Sequence, residues 1–445
     1  LSAILVLAVA HWVLIGLATL GRFGLWPIVL PVVAFAIVLG LLCYLRLRRV
    51  DRIVTVGLVL LGALLYSPPA EELFLSGDAA IYVNEAIFVA RTGGLSTTHE
   101  ALAAIPPESR TLFYLTSQEQ YAINSVHAYA GMVYRGYYMI DPATATIQIS
   151  RMPLSTVWLA LVYALAGLQT ALYSTPLFAI LGVLLLYAVG RRLFGWPVAL
   201  CCALLLAVSF MQIHFGRTSY AEIYGQFWTL AGMFAALAWM ERRHPALLAT
   251  AIGCWVTTWA GRVDALLLLP AIGLLLIYAG LDQDRRTLRL VALLTPLFAL
   301  LIYLSTNRAY VGATFELLAM QRPWFYGALF ALVALLPLGT GIAWLWGGPI
   351  QRLLQRVAPL LHVVLFLLTA FVILWATVPN PLRDPTITRK FQEIIWFSSA
   401  YITPLLYWLA LIGIGRLLFG RAGGAYDRRS FWLLATFYTL AVIFF

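Results

Sequence analysis

Four groupings in this sequence combine residue types that can do chemistry. Asp78 comes first, in the polar stretch that follows an apolar run and the helix stop Ser67-Pro68-Pro69. A carboxylate at that depth suits a general base acting on a hydroxyl group. It reads equally as the N-cap of a helix, a role worth about 1 kcal/mol. Glu222 is second, at the end of His214-Phe215-Gly216-Arg217-Thr218-Ser219-Tyr220-Ala221-Glu222. Arg217 there offers a cation for a phosphate, whereas Ser219 and Glu222 have the spacing of a capping box, which needs no function. Third, Gly261-Arg262-Val263-Asp264 interrupts two apolar runs. Arg262 and Asp264 are candidate ligand contacts, or a snorkelling cation and a helix cap. Fourth, Arg389 and Lys390 stand with Arg383 and Asp384 in a stretch containing Pro379, Pro381 and Pro385. They suit an anionic ligand, and a solvated loop suits them as well.

The elements that position these residues are set by composition. Of 445 residues, 62% are hydrophobic and 11% are charged, against roughly 25% charged in a soluble domain. The apolar residues fall in runs such as Trp26–Tyr44, Thr170–Val189, Val198–Gln212, Tyr326–Trp346 and Leu360–Val378. Runs of this kind are long enough, or nearly so, to cross a hydrocarbon layer of ~30 Å. The sequence therefore predicts an all-α polytopic membrane protein. The net charge of +11 comes from 28 Arg and one Lys spread over short loops. It reads as topology rather than as a nucleic-acid surface. Cys43, Cys201, Cys202 and Cys254 all lie inside apolar runs, without metal-site spacing and outside any loop where a disulfide is expected. Apolar stretches at Leu1 and Phe445 read as a chain that continues beyond at least one end.

Arg clusters give an orientation. Arg46, Arg48, Arg49 and Arg52 begin a series continued by Arg191 and Arg192, Arg242 and Arg243, then Arg285, Arg286 and Arg289. Arg352 and Arg356, and Arg416, Arg421, Arg428 and Arg429, complete it, so that 17 of 29 basic residues fall on one side. By the positive-inside rule that side is cytoplasmic. The stretches 67–150, 215–222, 261–264, 305–324 and 379–397 are then outside. This order demands an odd number of crossings between 150 and 191, where two apolar segments lie. Leu154–Leu168 is read as a short or re-entrant helix and Thr170–Val189 as the true span. About thirteen transmembrane helices plus that half-helix result. The domain plan is N-terminal spans over 1–66, an outer loop over 67–150 and a helical bundle over 151–445.

Within the outer loop, Asp78 can cap a helix from Ala79 to about Thr92, closed by Gly93-Gly94. Ala80, Val83, Ile87 and Ala90 make an apolar stripe, with Asp78, Tyr82 and Glu85 on another face. This is the pattern of an amphipathic helix lying along the membrane surface. Tyr82 joins the candidate substrate contacts. Val133–Ile140 and Thr146–Ser150 flank Asp141-Pro142-Ala143-Thr144, which reads as a small β-hairpin. Tyr114, Tyr121, Tyr129, Tyr134, Tyr137 and Tyr138 suit either sugar stacking or anchorage at the headgroup level. No Walker A loop, dinucleotide glycine pattern, zinc-protease helix or nucleophile elbow is present.

These features together resemble the GT-C glycosyltransferases, in the branch of protein O-mannosyltransferases and lipid A aminoarabinose transferase. The residues carrying the likeness are Ser76-Gly77-Asp78 with Tyr82 and Gly93-Gly94, and Ile140-Asp141-Pro142 leading to Arg151-Met152-Pro153-Leu154. The stretches Arg217 to Glu222 and Arg262-Val263-Asp264-Ala265-Leu266-Leu267 complete it. It covers roughly Leu60 to Gly280, and its signal is the order and shared face of the motifs. The resemblance implies Asp78 as catalytic base and Glu222 as a second catalytic acid near the donor phosphate or a metal. It implies a polyprenyl-phosphate sugar donor and inversion by single displacement, onto a protein, lipid or glycan acceptor. Relatives carry an acidic pair where this chain has Asp78-Ala79. The cofactor is unknown: no metal ligands are assigned, and a divalent ion, Mg or Mn, is what the resemblance leaves open. The expected setting is a prokaryotic plasma membrane with the site facing outside. A transporter or flippase would instead need ionisable residues at mid-membrane, and the polar groups of this sequence gather at one face. A non-catalytic structural subunit, with other membrane subunits as partners, is the third reading.

Overall fold

A computed structural model describes residues 2–73, 77–114, 132–134, 136–261 and 285–305, with scattered positions between 265 and 367. The described chain is mainly helical. The helices are α1 (Ser2–Thr19), α2 (Leu30–Leu45, entered through the 3-10 turn Phe23–Val29) and α3 (Arg49–Tyr66). α4 (Asp78–Thr92) and the short α5 (Glu100–Ala103) follow, then α6 (Pro153–Leu172), α7 (Ser174–Phe194), α8 (Trp196–Val208) and α9 (Phe210–Arg217). α10 (Ala221–Arg242), α11 (Pro245–Trp259) and α12 (Arg285–Ser305) complete the set. Phe23–Leu45, α1, α6 and α7 are each long and apolar enough to cross a membrane, and α8 with α9 would make a fifth if that pair, bent by 60°, is one span. Where the other expected spans fall on described helices, those helices fall short of that length and composition, and the rest of the expected thirteen fall on residues outside the described ones.

An exposed apolar strip runs along α2. Phe35, Ile37, Val38, Leu41 and Leu42 are 47–66% exposed, an apolar strip that water would penalise at about 25 cal/mol per Å². The core runs instead through α7, α10 and α11, where Tyr224, Trp228, Trp239 and Trp255 are buried. Small residues let these helices close up. A Cβ on Gly232 would lie 2.3 Å from Trp255 Nε1, whose N–H donates to Thr229 O at 3.1 Å.

α6 has both its ends at one end of the helix bundle. Its first turn is fixed by the Leu154 N–H, which donates to Ala260 O at 2.8 Å, just past the end of α11. α7 then starts at Ser174, whose Oγ accepts from Tyr224 Oη at 2.9 Å in the first turn of α10. Tyr224 and Ala260 belong to the same end of the α10–α11 pair, since Gly225 faces Thr258 across it. Both ends of α6 therefore sit at one end of the bundle, and Gly167 breaks the helix between them with φ 78° and ψ −177°. The segment is longer than the expected half-helix and lies across that end, although its length would suffice for a crossing.

The expected hairpin is present, with β3 (Tyr137–Asp141) and β4 (Thr146–Ile149) antiparallel. It is the middle of a larger four-stranded sheet of order β1-β4-β3-β2, with β1 at Ser96–Thr98 and β2 at Met132–Tyr134. Asp141 organises the turn: its Oδ1 accepts from Ala143 N–H at 3.0 Å and its Oδ2 from Thr144 Oγ1 at 2.6 Å. Arg110, 6% exposed, ties the sheet to its surroundings through carbonyls of Leu102, Ala103, Ile105, Pro142 and Ala143.

Two helix expectations are corrected. α4 ends as expected, on Gly93 in the left-handed conformation at φ 82°. It does not lie along a surface with its polar face outward, however. Tyr82 and Glu85 are buried with Ala79, Ala80, Ile81, Val83, Ala86 and Val89, while Ile87 and Ala90 of the proposed apolar stripe are only half-buried. Packing against α6 buries Tyr82 and Glu85 along with Ala80 and Val83 of the stripe, an inward polar contact that periodicity cannot detect. Likewise the polar stretch from His214 onward is not a loop until Thr218. The run Val198–Gln212 breaks at extended Ser209, whose Oγ accepts from Gln212 N–H at 3.3 Å and starts α9.

Candidate functional site

The end of the bundle where α6 lies also gathers the candidate residues. The chain leaves α3 at Tyr66 and crosses that end as an irregular segment to Leu73. Arg217, at the C-terminus of α9, holds its first half. Arg217 Nε donates to Pro68 O at 3.0 Å, and Ala70 N–H donates to Arg217 O at 2.7 Å. Asn84 on α4 holds the second half, its Nδ2 donating to Leu73 O at 3.0 Å. Glu72 is delivered between these tethers. Its Oε2 lies 3.5 Å from where a Cβ on Gly77 would stand, next to the start of α4.

Asp78 is the first residue of α4 and not its cap. Gly77 is the N-cap, and no side chain caps the helix. The Asp78 carboxylate, 48% exposed, instead accepts from Arg151 Nη2 at 2.5 Å, with the Arg151 side chain 21% exposed. A carboxylate in the first turn is still favoured by the helix dipole, but its direct partner is the guanidinium.

Glu85 lies two turns further along the same helix face and is fully buried. Its Oε1 accepts from Ser150 N–H at 2.8 Å, Ser150 Oγ at 3.0 Å and Arg151 N–H at 2.9 Å. Its Oε2 accepts from Thr156 Oγ1 at 3.4 Å. Burial pushes the Glu85 carboxyl up to about 7, against the opposing pull of these hydrogen bonds and of the Arg151 charge. Neither Arg151 nor Glu85 was assigned a role from sequence. A carboxylate on a helix face is an ordinary pattern, and only the pairing of 85 with 150–151 across the outer loop gives it meaning.

Glu222 is in the first turn of α10, whose N-cap is Tyr220 without a side-chain cap bond. The capping box expected of Ser219 and Glu222 is therefore not formed: the helix begins one residue too late for it. Tyr220 links the acids. Its phenol is raised first by burial and then by the charges of Glu72, Asp78 and Glu222. The charges of these three carboxylates thus reach one phenol from three separate elements, and Arg151 is paired with Asp78.

Among the sequence-derived candidates, Asp78, Glu222 and Arg217 are brought to one end of the bundle. Tyr82, 7% exposed, packs into the core instead. Arg262, Asp264, Arg389 and Lys390 lie outside the described residues. The chain approaches Arg262 from Ala260 and Gly261, and a Cβ on Gly261 would meet Leu154 at 2.4 Å. Among the described residues no three His, Cys, Asp or Glu side chains are grouped to hold a metal ion. The described residues of the site alone do not make a divalent-metal centre. What it offers is an exposed carboxylate, two flanking guanidiniums and a shared phenol. No family model, curated protein or solved structure matches this chain.

Proposed function

We propose that this chain is an integral membrane glycosyltransferase. It moves a sugar from a polyprenyl-phosphate donor to an acceptor hydroxyl on a protein, lipid or glycan, at the outer face of a prokaryotic plasma membrane. The observation that carries the reading is the half-exposed Asp78 carboxylate paired with Arg151, at the bundle end shared with Glu72, Glu222 and Arg217. Arg151 balances Asp78 before substrate arrives. A donor phosphate competes for that guanidinium through charge-assisted bonds, which leaves Asp78 open to an acceptor.

The reaction is then a single displacement. Asp78 takes the proton of the acceptor hydroxyl as its oxygen bonds to the anomeric carbon. The bond from that carbon to the phosphate oxygen breaks, and the lipid phosphate leaves with the electron pair. Arg151 and Arg217 hold the growing negative charge on the leaving group, where fixed cations act most strongly in a water-poor setting. Inversion at the anomeric carbon follows from attack opposite the phosphate.

Asp78→Asn tests the assignment. Gly77 is the cap, so the change removes no capping bond. The variant is expected to express and fold normally while transfer from a polyprenyl-phosphate sugar in membranes falls about 10²–10⁴-fold. Transfer at the wild-type rate by a normally expressed variant would sink the proposal.

A further inference from the structure

We propose that Glu85 is a positioning residue, clamping the Ser150–Arg151 turn onto α4 so that the Arg151 guanidinium meets Asp78. This rests on the transfer reading above and goes beyond it by naming the group that sets the geometry. The argument begins with where the turn comes from. Ser150 and Arg151 follow β4 directly and precede Pro153, which starts α6. Proline has no N–H to anchor the junction. Arg151 N–H is instead satisfied by a side chain, Glu85 Oε1 at 2.9 Å, and Ser150 N–H shares that oxygen at 2.8 Å while also donating to Gly136 O at 2.8 Å.

A buried carboxylate is a costly way to satisfy two backbone donors, so its placement calls for a reason. α4 supplies one. Asp78 and Glu85 are spaced by seven positions, two turns or roughly 10 Å of helix rise. One rigid element therefore carries the exposed acid and also the buried acid that holds its partner's backbone. Arg151 is fixed twice, by its N–H on Glu85 and by its guanidinium on Asp78. Ser150 Oγ and Thr156 Oγ1 complete the carboxylate's contacts from the turn after β4 and from α6. The arrangement lets the side chain of Arg151 move toward a phosphate while its backbone stays in place.

Two substitutions separate this role from simple packing. In Glu85→Gln the amide oxygen can accept the same three bonds, and the amide nitrogen can donate to Thr156 Oγ1. In Glu85→Ala the turn loses all of them. Transfer should fall about 10²-fold in the alanine variant, the scale of a misplacement near 1 Å, and the glutamine variant should rescue it to within a few-fold of wild type. In an Arg151→Ala background, Glu85→Ala should cost nothing further, because it acts through that residue. Additive losses in this double-mutant cycle would overturn the proposal, as would full transfer by Glu85→Ala. A second arm needs no transfer at all: cryo-EM of both variants in nanodiscs. The Asp78–Arg151 pair broken in Glu85→Ala and kept in Glu85→Gln supports the clamp even if no sugar is moved by any variant. The pair intact in Glu85→Ala overturns it, whatever the transfer assay shows.

Discussion

The two ends of the helix bundle handle charge in opposite ways. At the end away from Asp78, each described acid is bonded to a cation or hydroxyl that pins one helix to another. Asp51 of α3, 9% exposed, accepts from Tyr187 Oη at 2.7 Å and Arg191 Nε at 2.9 Å, both on α7. Arg192 of α7 pairs with Glu241 of α10 at 2.5 Å and lies 4.6 Å from the centre of the Phe234 ring. Those bonds close a latch. At the Asp78 end, the charges of three acids raise one phenol, and the Asp78–Arg151 pair is half open to its surroundings. At the first end the charges are satisfied across helices; at the other the Asp78 carboxylate stays half exposed beside its cation. Buried position alone does not tell the two apart, whereas the pattern of partners does.

The largest test of that contrast substitutes one acid at each end. Asp78→Asn is expected to leave folding intact and to remove transfer. Asp51→Ala should do the reverse, leaving Arg191 and Tyr187 without their acceptor. Breaking a largely buried pair by removing one member costs about 3–5 kcal/mol. Thermal unfolding in detergent should show that loss, while transfer per folded molecule stays at the wild-type level. If Asp51→Ala abolished transfer without lowering the melting temperature, the latch would belong to the site.

Part of this contrast was legible in the sequence. Asp78 was found because an acid at the edge of an apolar run is a local signal. The turn at Asp141-Pro142 and the helix end at Gly93 were legible for the same reason, since turn chemistry acts within a few residues. The latch was half legible: Arg191 and Arg192 stood out as topology markers, but their partners Asp51 and Glu241 are far away in sequence. Glu85 and Arg151 were not legible at all as a pair. Their bond spans the outer loop, and the 3.6-residue period assigned Glu85 to a wet face because it counts polarity and not neighbours. Ser219 misled in the other direction, since a capping pattern one residue early is still a capping pattern on paper.

Glu85 also gives the Asp78 end a pH dependence near neutral pH. Its folded carboxyl sits at about 7 against 4.5 for the free group, so the folded state holds the proton more tightly than the unfolded chain does. The stabilisation this provides is complete below pH 4.5 and is lost as pH rises to about 7. Its size is on the order of 3 kcal/mol. Melting temperatures of wild type and Glu85→Gln, measured side by side across that window, should diverge, with the wild type losing ground as pH rises. Parallel curves would mean that the buried carboxylate keeps its charge at every pH tested.

The smallest expected effect concerns His11, the one described group that fits neither pattern. It is fully buried within α1, among Trp12, Trp158 and Trp228 at ring distances of 5.7, 6.2 and 5.9 Å. Neither ring nitrogen has a hydrogen-bond partner among the described residues. It is neither latched like Asp51 nor accessible like Asp78. An ionisable side chain inside a span is a default functional candidate and would favour transport over transfer. A histidine stacked on tryptophan is also a flat ring filling an aromatic niche, and Phe would fill it with no polar atom left unsatisfied. Removing a buried group that has no partner is close to neutral or stabilising. His11→Phe is therefore expected to change stability by less than about 1 kcal/mol and to leave transfer per folded molecule unchanged. Loss of activity by a stably folded His11→Phe variant would make α1 part of a proton or substrate path. It would also break the rule drawn from the two ends, because a functional charge would then be hidden rather than exposed.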